Sequence, residues 1–212
     1  MAPFKSTLLI LLSLLALSAC GKQDIDVDTT KISVGSGLEG TWVSPCLDNG
    51  GGGSLAMVVV FTANSFAVEE NRYLGGLTCP APADTTKKEA GTLTATGSKV
   101  MSTGETGNKY LTEGTLETAT TNTQVGADHF NDTGQYPTGA FGFLGWTPGH
   151  TRDVLGVSES GQAESTSGKL VLSIDNASSP PRLWVGDDED PAPKDADGYA
   201  ENLNPFFYFE KQ

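Results

Sequence analysis

Along Lys109–Thr118 the residues alternate so that Tyr110, Thr112, Gly114 and Leu116 fall on one side. A period of two is the pattern of a half-buried strand. Leu55–Thr62 contains Met57-Val58-Val59-Val60-Phe61, a run of β-prone side chains. Asn64-Ser65 supplies a turn, and Phe66–Leu74 continues as a strand anchored by Phe66, Val68 and Tyr73. Gly40–Val43 forms an earlier strand, and Pro80–Asp84 a proline-containing loop. Ala90–Thr96 and Ser98–Thr103 flank Gly97, which predicts a hairpin there. Later strands are expected at Asp153–Ser158, Lys169–Asp175, Pro181–Val185 and Pro205–Lys211. In the last, Phe206 and Tyr208 would point one way and Phe207 and Phe209 the other. No segment of twelve or more residues has a helical period, and only 198–202 could make a short helical turn. The pattern predicts an all-β fold, an antiparallel barrel of about eight to ten strands. A β-sandwich uses the same alternation and is the alternative. Long Gly/Thr-rich loops are expected at 119–150 and 187–198.

The amino-terminal pattern is different. Lys5 precedes a Leu-dominated run, Leu8–Leu17, that closes with Leu17-Ser18-Ala19-Cys20-Gly21. A positive start, a short apolar core and a small-residue cleavage site make a secretory signal peptide over residues 1–19. The run falls short of the about twenty residues that span a bilayer. The Leu-Ser-Ala-Cys ending resembles the lipobox of bacterial lipoproteins. That resemblance implies cleavage before Cys20, lipid on Cys20 as a membrane anchor, and, with Gly21 next, transfer to the outer membrane. Several acyl chains hold firmly where one holds marginally. Residues 20–37 then form the lipidated Cys and a flexible tether, polar and ending in Gly35-Ser36-Gly37. Residues 38–212 form a single all-β domain.

Charge narrows the partners. The chain has 26 Asp+Glu against 13 Lys+Arg, a net charge of −13, and removing residues 1–19 takes away only Lys5. A nucleic-acid partner needs a basic patch and is not expected, nor is electrostatic binding to anionic lipid. With Cys20 lipidated, Cys46 and Cys79 remain. In an oxidising compartment they read most simply as a disulfide. A metal or redox pair is the alternative, but neither a CxxC nor a nearby His accompanies them.

Candidate chemistry is sparse. Gly156-Val157-Ser158-Glu159-Ser160 misses the last glycine of a nucleophile elbow. Gly35-Ser36-Gly37-Leu38-Glu39-Gly40 matches GxGxxG but neither follows a strand nor opens a helix, so it cannot offer a helix amino terminus to a pyrophosphate. Neither catalytic residues nor a cofactor are expected. His129 and His150 read as loop histidines before they read as metal ligands. Asp187, Asp188, Asp190, Asp195 and Asp197 make a weak calcium candidate, since oxygen-rich loops bind Ca²⁺ when carboxylates converge. Without that convergence they are a solvated turn. Tyr136, Phe141, Phe143 and Trp146 lie among small residues. They could form an apolar lip over a pocket or a partner patch, or fold back onto the core.

Gly40-Thr41-Trp42 opening the first strand resembles the lipocalins and the wider set of lipocalin-like barrels. The resemblance implies that Trp42 packs across the closed end of a barrel beneath a late-strand Arg, for which Arg182 is the candidate. Trp42, Cys46, Phe61, Phe66, Tyr73, Cys79 and Gly91-Thr92-Leu93 also resemble a loose group of uncharacterised bacterial lipoproteins. Together these features predict a lipid-anchored, non-catalytic envelope protein that binds a small apolar ligand or an envelope protein. A structural or adhesive surface lipoprotein presenting variable loops is the alternative.

Overall fold

Runs of Val, Thr and aromatic residues set the strands, and the side chains at every second position build the interior. The computed structural model describes residues 37–49, 51–163, 166–187 and 192–212. The signal peptide, Cys20, residues 20–36 of the tether, Asp188 and Asp190 lie outside the described residues. In chain order the elements are β1 (Gly40–Val43), β2 (Leu47–Asp48), β3 (Ser54–Thr62), β4 (Ser65–Tyr73), β5 (Thr85–Val100), β6 (Thr106–Thr121), α1 (Gln124–Asn131), β7 (His150–Asp153), β8 (Thr166–Asp175), β9 (Arg182–Gly186) and β10 (Leu203–Lys211).

The fold is a closed antiparallel barrel of eight strands, β1, β3, β4, β5, β6, β8, β9 and β10. Each pairs with the next in sequence, and β1 closes the ring by pairing with both β3 and β10, with Trp42 opposite Val59 and Lys211. The expectation of an all-β, lipocalin-like barrel is met, and the sandwich alternative falls away. Closure removes the exposed edges that an open sheet would carry. β2 and β7 are additions at the rim: β2 pairs with the start of β3, and β7 with the end of β6.

Three predicted boundaries shift. β5 runs unbroken through Gly97, which sits at a register irregularity with φ +136°. Glycine accepts that backbone at a bulge, so the residue bends a strand instead of ending it. The turn lies at 101–105. The strand expected at Asp153–Ser158 does not form: β7 ends at Asp153, and turns and an isolated bridge at Val157 follow it. At 198–202 Ala200 bridges to Lys194 with no helical turn. The helix α1 falls in the expected loop. Thr123 caps it, its hydroxyl accepting from the Gly126 amide at 3.2 Å. Eight residues are too few to show a helical period in the sequence.

The main core fills the barrel. Met57, Val59, Phe61, Leu93, Leu183 and Phe209 are among its buried members, and Leu38 and Trp42 close one end. The Trp42 indole donates to the Leu38 carbonyl at 2.7 Å. The cation over Trp42 is Lys211, 5.2 Å from the ring, and its ammonium also donates to the Gly37 carbonyl at 2.9 Å. Arg182 does not take that place. Leu183 and Val185 occupy the inward positions of β9, so Arg182 points outward, over the Tyr208 ring at 4.5 Å and toward Glu210.

A second core lies at the opposite end, where Leu116 and Ala119 of β6 meet Phe130 of α1, Phe141 and Trp146. Cys46 and Cys79 are joined in a disulfide with Cα atoms 5.8 Å apart, tying the segment after β1 to the loop between β4 and β5. Closing a loop of this length stabilises by about 4 kcal/mol in the chain-entropy picture.

Candidate functional site: an apolar cavity beneath a charged layer

The side chains that alternate into the lumen change character along the barrel axis. Phe66 and Val68 of β4 face inward, and so do the next two residues of that parity, Glu70 and Arg72. On β5 the inward series is Leu93, Gly91, Glu89 and Lys87. Register places Phe66 opposite Gly91, Val68 opposite Glu89 and Glu70 opposite Lys87. The lumen is therefore apolar near Trp42 and charged toward the end where α1 sits.

The apolar half contains a cavity of about 50 Å³. It is lined by Val59, Phe61, Phe66, Leu93, Leu172 and Phe209 among others, with Thr112 the single polar residue of the lining. Val68 and Leu170 in the lining are half-buried, whereas Phe61, Leu93 and Leu183 are fully inside. An eight-stranded barrel has room for its own side chains or for one small ligand. Gly91 shapes this space. A Cβ there would lie 2.8 Å from the Phe66 ring and closer still to the β6 backbone. The missing side chain thus lets Phe66 lie against the wall.

Above it, four charges meet. The Glu70 carboxylate accepts from Arg72 Nε and Lys87 Nζ, both at 2.7 Å. Glu159, from the turn after β7, reaches the same cations: Arg72 Nη1 and Lys87 Nζ each lie 2.9 Å from its Oε1. Its other oxygen accepts from the Tyr136 hydroxyl at 2.9 Å, and that hydroxyl in turn meets His129 Nε2 at 3.3 Å. Burial alone would raise both carboxyls. The two cations outweigh it and hold Glu70 and Glu159 below the ordinary carboxylate range. Burial also lowers the His129 imidazole and raises the Tyr136 phenol. Lys87 is almost completely buried, which such a cation tolerates only when paired.

Sequence reasoning missed this layer. Glu69-Glu70-Asn71-Arg72 and Lys87-Lys88-Glu89 place charges on both faces of their strands, and that was the available signal. A half-buried strand keeps one face apolar, so charges on both faces point to a polar lumen.

The predicted aromatic lip is not presented as a lip. Tyr136, Phe141 and Trp146 are buried in the second core, and Phe143 packs partly against it. Phe130 meets Phe141 and Trp146 edge-on, with ring centroids 5.3 and 5.0 Å apart. None of the four lines the cavity. Of the acidic loop, Asp195 and Asp197 are paired with lysines. Asp195 receives Lys99 at 2.8 Å and Asp197 receives Lys109 at 2.9 Å, on either side of Tyr199, whose ring lies under Lys109. At Asp195 and Asp197 lysines stand where the calcium reading placed a metal ion, and Asp188 and Asp190 lie outside the described residues. Among the described residues no cluster of three or more His, Cys, Asp or Glu could hold a metal. His150 meets Trp146 edge-on, with ring centroids 5.8 Å apart. Among the described residues no helix is long and apolar enough to cross a membrane.

No protein-family model matches this sequence, and no curated protein is significantly similar to it.

Proposed function

We propose that this is a lipid-anchored, non-catalytic binding protein of the bacterial outer membrane, whose barrel holds a small apolar ligand. The observation that carries the reading is the cavity inside the barrel, whose lining is apolar except for Thr112. Apolar contact in such a space contributes about 25 cal/mol for each Å² removed from water. At about 50 Å³ the space is smaller than the about 150 Å³ that holds benzene. It suits one end of a slender chain, with the remainder passing the half-buried Val68 and Leu170.

The anchor at Cys20 rests on the lipobox resemblance. A net charge of −13 disfavours electrostatic attachment to anionic lipid, so the acyl chains would supply it. The reading of a surface protein that presents variable loops draws less support, because the aromatic loop packs into the second core and Asp195 and Asp197 are paired with lysines of β5 and β6.

The test is native mass spectrometry of the full chain purified from an oxidising compartment. A bound apolar mass that survives purification and is released by organic solvent is the expected result. An empty protein that also takes up no added 1-decanol would overturn the reading.

A further inference from the structure

The outer wall of the barrel carries an aromatic face. Leu183 and Val185 of β9 belong to the lumen, so Arg182 and Trp184 point out. On β10 Phe209 is buried inside, and Tyr208 pairs with Trp184 on the outside. The Trp184 and Tyr208 ring centroids are 5.1 Å apart, and Arg182 covers the Tyr208 ring at 4.5 Å. The outward row beside them runs from Arg182 through Glu210 and Val43 to Val58.

Phe206 extends this face. Leu203 pairs with Gly186 and Tyr208 with Trp184, so five steps along β10 answer two along β9. The surplus forms a bulge, a device that re-aims a side chain. It is fastened from within, since the Phe206 amide donates to the Asn204 side-chain oxygen at 2.9 Å. Phe206 is 75% exposed, two residues before Tyr208 and directly after the exposed Pro205. A lone exposed apolar residue is ordinary. One held out by a bulge beside two further aromatics marks a contact surface.

The place where the chain enters the barrel points to what this surface meets. The Gly37 carbonyl accepts from Lys211 Nζ at 2.9 Å, so the tether joins at the end of β10. Tyr208 is three residues from Lys211, about 10 Å at the rise of a strand. Cys20 precedes Gly37 by 17 positions, a span of about 60 Å at full extension. A membrane that holds Cys20 therefore stays within reach of the face, and tethering makes weak contact effective. The side chains suit that partner. Trp and Tyr favour the membrane–water interface, and Arg lays its stem on apolar surface with its head in water. Arg182 lies 3.4 Å from Glu210, which leaves the pair neutral, and the net charge of −13 disfavours anionic lipid. A zwitterionic surface fits. A sugar fits less well, because Arg182 already covers the Tyr208 ring and Phe206 offers no polar group.

We infer that the face formed by Trp184, Phe206 and Tyr208 docks on a zwitterionic lipid surface, the same surface that holds the acyl chains of Cys20. The barrel then lies with the outer side of β9 and β10 against the bilayer. Phe206 enters the acyl boundary, and Trp184, Tyr208 and Arg182 sit at the level of the head groups. The inference goes beyond the ligand reading and rests on the anchor at Cys20.

Of the three tryptophans, Trp42 and Trp146 are buried, so a quencher in the lipid reports on Trp184. The full chain is purified from its membrane, and its intact mass shows whether Cys20 is acylated. It is then reconstituted into phosphatidylcholine vesicles with and without bromine on the acyl chains. The acylated protein should lose tryptophan emission in the brominated vesicles. Phe206→Asp, at an exposed position, should restore most of that emission, and Leu155→Asp, at an exposed leucine beyond β7, should restore none. Equal emission in both kinds of vesicle from an acylated protein overturns the docking face and leaves the anchor standing. If native mass spectrometry then finds two chains together, the face joins copies of the protein instead. A loss of emission that Phe206→Asp does not relieve also overturns the proposal, because the contact is then made elsewhere. An intact mass without acyl chains overturns the anchor, and the inference with it.

Discussion

Leu38 and Trp42 close one end of the lumen from positions four residues apart, with one indole hydrogen bond and apolar packing. At the other end the closing groups come from β4, β5, the segment after α1 and the turn after β7. There a network of four charges lies beside the second core. The first end is made of neighbours and needs little more than the start of one strand. The second exists only once distant segments have met. Apolar burial at the Trp42 end is insensitive to pH and salt. The charged end depends on every partner being present, since an unpaired buried charge is costly whereas a paired one is near neutral.

The largest expected effect lies at the apolar end. Trp42→Ala should cost about 3–5 kcal/mol, as for other large-to-small core changes, read as a shift of the urea midpoint. A loss below about 1 kcal/mol would mean that the Trp42 end does not hold the barrel shut.

The charged end should show coupling instead. Glu70→Leu alone should cost about 3 kcal/mol, because the buried Arg72 and Lys87 then lose the carboxylate they share. Combining it with Lys87→Met should cost less than the sum of the single changes by about 1 kcal/mol or more. Strict additivity would show that the four charges do not act as a unit.

The pH profile separates the two ends further. Glu70 and Glu159 have lowered folded pKa values, so their contribution is present above the unfolded value of about 4.3 and lost as pH falls through the folded values. His129 is also lowered, by burial. In the unfolded chain it takes up a proton below about pH 6.5, so stability begins to fall there. Glu159→Gln should flatten the limb below about pH 4 and leave the gentler decline above it. An identical acid limb in the variant would place the acid sensitivity elsewhere.

The smallest effect belongs to the outer face. Asp195 and Asp197 are held by Lys99 and Lys109, so millimolar Ca²⁺ should leave the melting temperature unchanged. A rise with Ca²⁺ would show that the carboxylates prefer a metal to their lysines.

The contrast between the ends also explains what could be read from the sequence. The wall of the apolar half was legible because Tyr110 and Thr112 alternate along one strand, where strand sterics turn alternation directly into inside and outside, and because Met57–Phe61 is a run of β-prone side chains. Trp42 was legible through its Gly-x-Trp setting. Its cation was not, because the parity of β9, fixed by Leu183 and Val185, sends Arg182 outward and leaves Lys211 to cover the indole. The charged layer stayed hidden for a related reason. Glu70 and Lys87 look like solvent-facing residues until Glu159, far away in sequence, is brought over them. Gly97 shows the limit of local punctuation, since a glycine with positive φ serves a bulge as readily as a turn.

The central claim is that the apolar half of the lumen is the binding site. Val68→Phe tests it most directly, because the larger ring would occupy the cavity from its half-buried side at a packing cost of about 1–3 kcal/mol. Titrated with 1-decanol, the wild type should bind and the folded variant should not. Equal binding by both would place the ligand outside the cavity and contradict the account.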